Sequence, residues 1–235
     1  MMTLLKLFER LSINELSNLA IANDGDGTIR VQDQPKIILH INNGLDRLYS
    51  KFVIKQEQVT LATDALTNHY RLSQKHAVTA IAPDNTSIPY LIDSPSAPFD
   101  AEVIKIYAVR DANGCMLPLN IEGDTNSLLT TEQDVLWFPN PKDDQLFTVM
   151  FQRKHKTLDL ENEEQEVFLP HALWPALTAF VAHEVFAGMS SPEGVANAGR
   201  HWANYERVCF DVENQQLLGT SRSGKSSSFH DRGFV

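Results

Sequence analysis

The sequence is poor in cysteine: among 235 residues there are only Cys115 and Cys209. The two lie far apart and neither belongs to a CxxC motif. A disulfide framework therefore cannot be the basis of the fold, and reduced thiols are predicted.

Long apolar segments are also lacking. The N-terminal apolar stretch reaches only to Glu9 and Arg10, which is too short for a signal peptide. No other stretch approaches the ~18 uncharged apolar residues of a membrane span. We expect a protein made in the cytoplasm, without a membrane partner, that stays there or joins a particle assembled there.

Basic residues are also fewer than acidic ones. The chain has 20 Lys and Arg against 30 Asp and Glu, for a formal net charge of −10. Neutralising many phosphates requires a basic surplus, so this balance argues against a protein that wraps nucleic acid. An acidic net charge is compatible with a protein that lines a channel through which DNA passes without specific binding.

The order of sequence patterns predicts an α+β fold. A helical bundle comes from residues 1–55 and 160–216, a β-rich module from 56–159, and an extended C-terminal tail from 217–235. A first helix is predicted over 13–22, because Ser12 and Glu15 have the spacing of a capping box. A second begins after Asp33, where Pro35 stands near the first turn of a broad apolar stripe.

The middle block alternates short β-branched or aromatic runs with Gly, Pro, Asn and Asp. The runs 103–109 and 115–119 flank Asn113-Gly114, a typical hairpin turn. The runs 135–138 and 146–153 flank a second turn at 140–145. Five to seven strands are predicted, with both pairs as hairpins.

Two helices return near the C-terminal end. Residues 171–189 are apolar almost all round, so this helix is buried in a core or between subunits. Ser191-Pro192-Glu193 has the cap, Pro and acid of a helix start. Apolar residues then recur every three or four positions, as in a bundle helix or a short coiled-coil seam.

Two sequence motifs suggest chemistry that their context opposes. Residues 219–226 match the P-loop pattern, but a helix precedes them, where nucleotide binding needs a strand before the loop and a helix after it. His183-Glu184 lies on a predicted helix without the second His of a zinc protease motif. We therefore predict no catalytic residues, no metal and no cofactor.

The chain resembles head-to-tail connector or adaptor proteins of short-tailed bacteriophages, the tail tubular or head-completion proteins. Near the N-terminus the resemblance rests on residues 11–20, Pro35-Lys36-Ile37-Ile38 and residues 42–49. Near the C-terminus it rests on residues 168–177, residues 181–186 and Tyr205-Glu206. It covers the two helical ends well and the β-rich middle only loosely.

This resemblance implies a structural virion protein of the phage neck and not an enzyme. Members have a helical bundle with a β module set into it, and form a twelve-fold ring beneath the portal. They help to retain packaged DNA and dock the tail nozzle. The portal protein, the nozzle protein and further copies of the chain are thus the expected partners.

Composition and the abundance of Arg and aromatic residues in interface hot spots suggest particular contact residues. For portal binding, within a tail too polar to fold alone, they are Gly219, Arg222, Lys225, Phe229, Arg232 and Phe234. For contact between subunits they are Trp174, Phe180, Trp202 and Tyr205, for which an ordinary core role is the alternative.

Two other functions stay open. The chain could be a different neck component, such as a stopper or tail terminator. A small soluble metal-binding enzyme is the alternative from another class, and it would use His171, His183, Glu184 and His201.

Overall fold

The computed structural model describes residues 2–80, 88–162 and 164–219, except for the side chains of residues 23–25. Helices and antiparallel sheets are both present, which confirms the α+β class. The chain divides into two compact units. The helical unit comprises Met1–Ile54 and His155–Val235, and the β unit comprises Lys55–Lys154.

The helical unit has four α-helices in its described part. They are α1 (Leu4–Ile13), α2 (Gln34–Lys51), α3 (Trp174–Ala187) and α4 (Pro192–Asn214). Two short 3₁₀ segments, Ala20–Gly25 and His171–Leu173, belong to the same unit. Strand β1 (Met2–Thr3) pairs antiparallel with a distant strand, Glu166–Val167. No described helix combines the length and the apolar character needed to cross a membrane.

The first helix lies upstream of the predicted residues 13–22, so that prediction was wrong. Its N-cap is Thr3, whose hydroxyl accepts a hydrogen bond from the Lys6 N–H at 3.4 Å. Ser12 is fully buried and donates to the carbonyl of Ala22 at 3.1 Å. The Ser12 hydroxyl therefore makes a tertiary contact, and no helix starts there.

Helices α2 and α3 approach closely at Gly44. A Cβ atom at this position would lie 2.7 Å from Cδ1 of Leu177 and 2.9 Å from Cδ1 of Phe180. Both distances are shorter than real Cβ contacts. Gly44 therefore permits this packing, although glycine is a poor helix former.

Helix α4 begins where the sequence predicted, and α3 begins at Trp174, directly after the 3₁₀ segment that occupies the first three predicted residues. Pro175 lies in the first turn of α3, where its missing N–H breaks no helical hydrogen bond. The Ser191 hydroxyl accepts a hydrogen bond from the Gly194 N–H at 3.0 Å, which confirms the predicted cap of α4. Most side chains of α3 are buried, because α2 and α4 both pack against it.

The β unit contains seven strands in its described part. They are β2 (Gln56–Ala62), β3 (His69–Arg71), β4 (Leu91–Ile92), β5 (Val103–Arg110), β6 (Leu129–Glu132), β7 (Val135–Trp137) and β8 (Leu146–Arg153), and the strand of the helical unit at Glu166–Val167 is β9. Strand order in the four-stranded sheet is β4-β2-β8-β5, and in the three-stranded sheet it is β3-β7-β6. A short 3₁₀ segment, Gln74–His76, lies between β3 and β4.

The two predicted hairpins have different outcomes. At the first, Gly114 has a φ of +81° and the turn forms, but only the single bridge between Arg110 and Met116 follows it. The second prediction was wrong, because β7 and β8 belong to different sheets. The connection at 140–145 carries the chain from one sheet to the other.

One cluster of apolar side chains fills the β unit. The largest of its fully buried members are Tyr70 and Phe151. The hydroxyl of Tyr70 accepts from the Asp64 N–H and donates to the Asp64 carbonyl, so its polar end is satisfied inside the core. Such pairing lets a Tyr fill a core at little cost.

Candidate interaction sites

The histidines considered for metal binding do not converge. His183 lies on α3, and its Nδ1 is 3.0 Å from the Ala198 carbonyl of α4. His171 is exposed in its 3₁₀ segment. Across the described residues, no group of three or more His, Cys, Asp and Glu side chains is placed to hold a metal ion. His183 thus occupies a packing position, with its ring 5.0 Å from that of Trp202.

His40 on α2 joins this region, a position that the sequence reasoning missed. It is 9% exposed, and neither ring nitrogen has a hydrogen-bond partner in the described structure. The Glu184 carboxylate lies 3.7 Å from its Nδ1. Burial lowers the pKa of His40, while Glu184 acts in the opposite direction and Lys36 adds to the decrease. A neutral His40 is therefore expected near pH 7.

Arg47 forms the centre of an aromatic cluster on the helical unit. Its guanidinium carbon lies 4.7 Å from the centroid of the Trp202 ring, and 5.8 Å and 5.9 Å from those of Tyr205 and Phe180. Arg47 is exposed and has no ion pair with any carboxylate in the described ranges. A cation held over ring faces without an anionic partner can still accept a carboxylate from another molecule.

The four predicted subunit-contact residues are differently placed. Trp174, Phe180 and Tyr205 are each 4% exposed inside the helical unit, which favours the core role that was weighed as their alternative. Burial raises the pKa of the Tyr205 hydroxyl, with Cys209 adding to the effect. Trp202 is half-buried, with the guanidinium of the exposed Arg47 over its ring. The Arg47–Trp202 pair is thus the accessible part of this cluster.

The tail begins at a defined place. After α4 the chain reverses at Gln216, which has a φ of +52°, and the Gly219 carbonyl then accepts a hydrogen bond from the Val53 N–H at 2.8 Å. Gly219 itself is exposed. The other predicted portal-binding residues lie outside the described residues: Arg222, Lys225, Phe229, Arg232 and Phe234. Most of the P-loop-like motif lies outside them as well.

Arg153 lines a groove of about 830 Å³ in the β unit. The guanidinium of Arg153 is bound on both sides, by the carboxylates of Glu57 and Asp100 at 3.1 and 3.2 Å. A cation already neutralised in this way offers little attraction to an anionic ligand.

A second groove of about 640 Å³ contains Arg71, His76 and Tyr90. Arg71 pairs with Glu132 and Asp134, and the Tyr90 hydroxyl donates to the Arg71 carbonyl. Burial raises the pKa of Tyr90 to about 12. A Tyr with a raised pKa and an occupied hydroxyl is a structural group and not a ready proton donor.

No protein-family model matches this chain, and no curated protein sequence is significantly similar to it. Any functional assignment therefore rests on the residues, the fold and the geometry described above.

Proposed function

We propose that this chain is a structural head-to-tail adaptor of a phage virion. Copies form a ring, expected to be twelve-fold, under the portal, where the ring helps to retain packaged DNA and docks the tail nozzle. The observation that carries this proposal is the insertion of the β unit, Lys55–Lys154, into a helical unit built from both parts of the flanking chain. This is the architecture that the resemblance to connector proteins implies.

Charge also supports the proposal. The body of the protein is acidic, whereas residues 220–235 contain three Lys and Arg residues and one Asp. A basic segment that starts at one fixed point, Gly219, suits an arm that becomes ordered on a partner. An acidic ring suits a DNA conduit, since its overall field does not attract the polyanion.

The proposed contact between neighbouring copies centres on Arg47 and Trp202. Both residues are accessible, and Arg and Trp are the residue types that most often dominate binding energy at interfaces. The unpaired guanidinium favours an acidic surface on the neighbouring copy. Such surfaces are plentiful on a chain with a net charge of −10.

The decisive test uses mass photometry of the chain alone and mixed with a candidate portal ring. The full chain is compared with one that ends at Leu218 and with a full chain in which Arg222, Lys225 and Arg232 are replaced by Gln. We expect only the full wild-type chain to add mass to the portal ring. If all three behave alike, either all binding or none binding, the proposed docking arm is wrong.

The subunit contact is tested separately with Arg47→Lys and Trp202→Ala. Arg47→Lys keeps the charge but loses the planar group that stacks on Trp202. We expect both variants to fold, as judged by circular dichroism, and to give incomplete rings on the portal. Rings of wild-type mass from both variants would contradict the proposed contact, and rings that bind elsewhere on the virion neck would indicate a stopper or terminator.

A further inference from the structure

A buried histidine joins the two ends of a segment in the helical unit. His155 is 8% exposed, and its Nε2 lies 3.1 Å from the backbone nitrogen of Phe168, which donates a hydrogen bond to it. Residues 156–167 run between these two positions. The His155–Phe168 bond therefore holds together the points where this segment begins and ends. Both residues belong to the same compact unit.

The two hydrogen bonds of the ring fix its protonation state. A backbone N–H can only donate, so Nε2 of His155 is the acceptor of the bond from Phe168. A carbonyl oxygen can only accept, so Nδ1, which lies 2.5 Å from the Lys156 oxygen, carries the proton. One neutral tautomer meets both requirements. A doubly protonated ring cannot, because its Nε2–H would point at the Phe168 N–H.

Other hydrogen bonds hold the same segment without involving His155. The Tyr49 hydroxyl of α2 donates to the Phe168 carbonyl at 2.6 Å. The Asn42 side chain, also on α2, exchanges two hydrogen bonds of 3.0 Å with the backbone of Leu158. Hydroxyl and amide groups do not change charge between about pH 5 and 8, whereas an imidazole does. The bond between His155 and Phe168 is therefore the pH-sensitive member of this set.

Titratable groups near the His155 ring act in both directions. Tyr49 of α2 presents its ring edge to the imidazole, with the centroids 5.6 Å apart. Lys154 and Lys156, which flank the histidine in the sequence, oppose a positive charge on the ring, and Glu166 on β9 favours it. Lys156 and Glu166 are exposed, so water weakens the effects of both. The geometry of the hydrogen bonds therefore decides what protonation does.

We propose that His155 is a pH-sensitive latch: protonation of its ring breaks the hydrogen bond to Phe168 and frees the two ends of segment 156–167 from each other. The segment carries four exposed carboxylates, at Asp159, Glu161, Glu164 and Glu166. A partner that binds this acidic surface in its closed form would bind more weakly to the open form, because a freed segment must be ordered again. The proposal does not depend on the adaptor role.

The test uses the full chain, labelled with ¹⁵N-phenylalanine and with ¹³C in the histidine rings, in NMR spectra recorded between about pH 7.5 and 5. The Phe168 amide signal is identified by its absence from the spectrum of a Phe168→Leu variant. We expect the His155 ring to titrate in this range and the Phe168 amide shift to follow the same curve. Protection of this amide against hydrogen exchange, corrected for the intrinsic exchange rate, should fall about tenfold or more.

His155→Gln is the matched variant, because a glutamine oxygen can accept the bond from Phe168 and does not titrate in this range. It should remove the pH dependence of the Phe168 amide, whereas His171→Gln, at an exposed histidine of the same unit, should leave it unchanged. A Phe168 amide that does not respond to the titration of His155, or a ring that stays neutral in the folded chain down to about pH 5, would overturn the proposal. The same holds for an undiminished response in folded His155→Gln. If that variant does not fold, the two wild-type measurements decide.

Discussion

Two glycines on helices provide a matched test of how the helical unit packs. Gly44 lies inside α2 and Gly199 inside α4, so replacing either by Ala removes about 0.5–1 kcal/mol of helix-propensity cost. At Gly199 the new methyl group meets no atom within 4 Å. At Gly44 it meets Leu177 and Phe180 at 2.7 and 2.9 Å.

The contacts at Gly44 decide the sign of the effect. Leu177 is fully buried and Phe180 is 4% exposed, so neither side chain can turn outward to make room. Overpacking of this kind costs about 1–3 kcal/mol, which exceeds the gain in propensity. We expect Gly44→Ala to lower the free energy of unfolding by about 1 kcal/mol and Gly199→Ala to raise it by about 0.5–1 kcal/mol.

The assay is equilibrium urea unfolding followed by circular dichroism at 222 nm, a signal that comes mainly from the helical unit. Both substitutions add the same atom to a helix interior, so their effects on the unfolded chain are similar and the comparison isolates the native contacts. A Gly44→Ala variant stabilised as much as Gly199→Ala would refute the close approach of α2 and α3. A double-mutant cycle with Leu177→Ala would support it further if Gly44→Ala costs less stability in the Leu177→Ala background than in the wild type.

Three further substitutions test single contacts. Burial lowers the pKa of His40, so the unfolded chain binds a proton at this residue more readily than the folded chain does. The melting temperature should therefore fall as the pH drops below about 6.5, and His40→Gln should make this dependence on pH weaker. If the melting temperature of the variant depends on pH as strongly as that of the wild type, other groups cause the effect. Ser191→Ala removes the acceptor for the Gly194 N–H and should lower the free energy of unfolding in urea by about 1 kcal/mol. An unchanged free energy of unfolding would contradict the capping role of Ser191. Tyr49→Phe leaves the Phe168 carbonyl without its 2.6 Å hydrogen bond and should cost about 1–2 kcal/mol in urea unfolding. An unchanged free energy of unfolding would contradict a stabilising role for this bond.

Sequence patterns predicted the starts of helices correctly where the interactions that start a helix are local. The cap at Ser191 and the apolar stripe after Asp33 act within one or two helical turns, and both helices start as predicted. The first helix shows how two local signals compete. Ser12 and Glu15 have the spacing of a cap, but Leu4, Leu7, Phe8 and Leu11 form the buried face of a helix that has already started. The 3-and-4 spacing of those four residues could have revealed it.

The missed features depend on tertiary contacts. Whether β7 and β8 form a hairpin or enter different sheets is not encoded in the eight residues between them, because a connection of that length permits both. Likewise, nothing near Arg47 in the sequence indicates that residues 180, 202 and 205 supply its aromatic surroundings.

The insertion of the β unit into the helical unit bears on where a docking arm formed by residues 220–235 would act. The helical unit cannot close until its second part, from His155 onward, joins Met1–Ile54. The last described residue of that second part, Gly219, hydrogen-bonds to Val53, at the point where the chain has just left α2. A partner that binds the residues beyond 219 would therefore act next to the end of α2 as well as the end of α4. We expect such binding to protect the backbone amides at the end of α2 from hydrogen exchange, and unchanged exchange there in the portal complex would show that the tail is uncoupled from the unit.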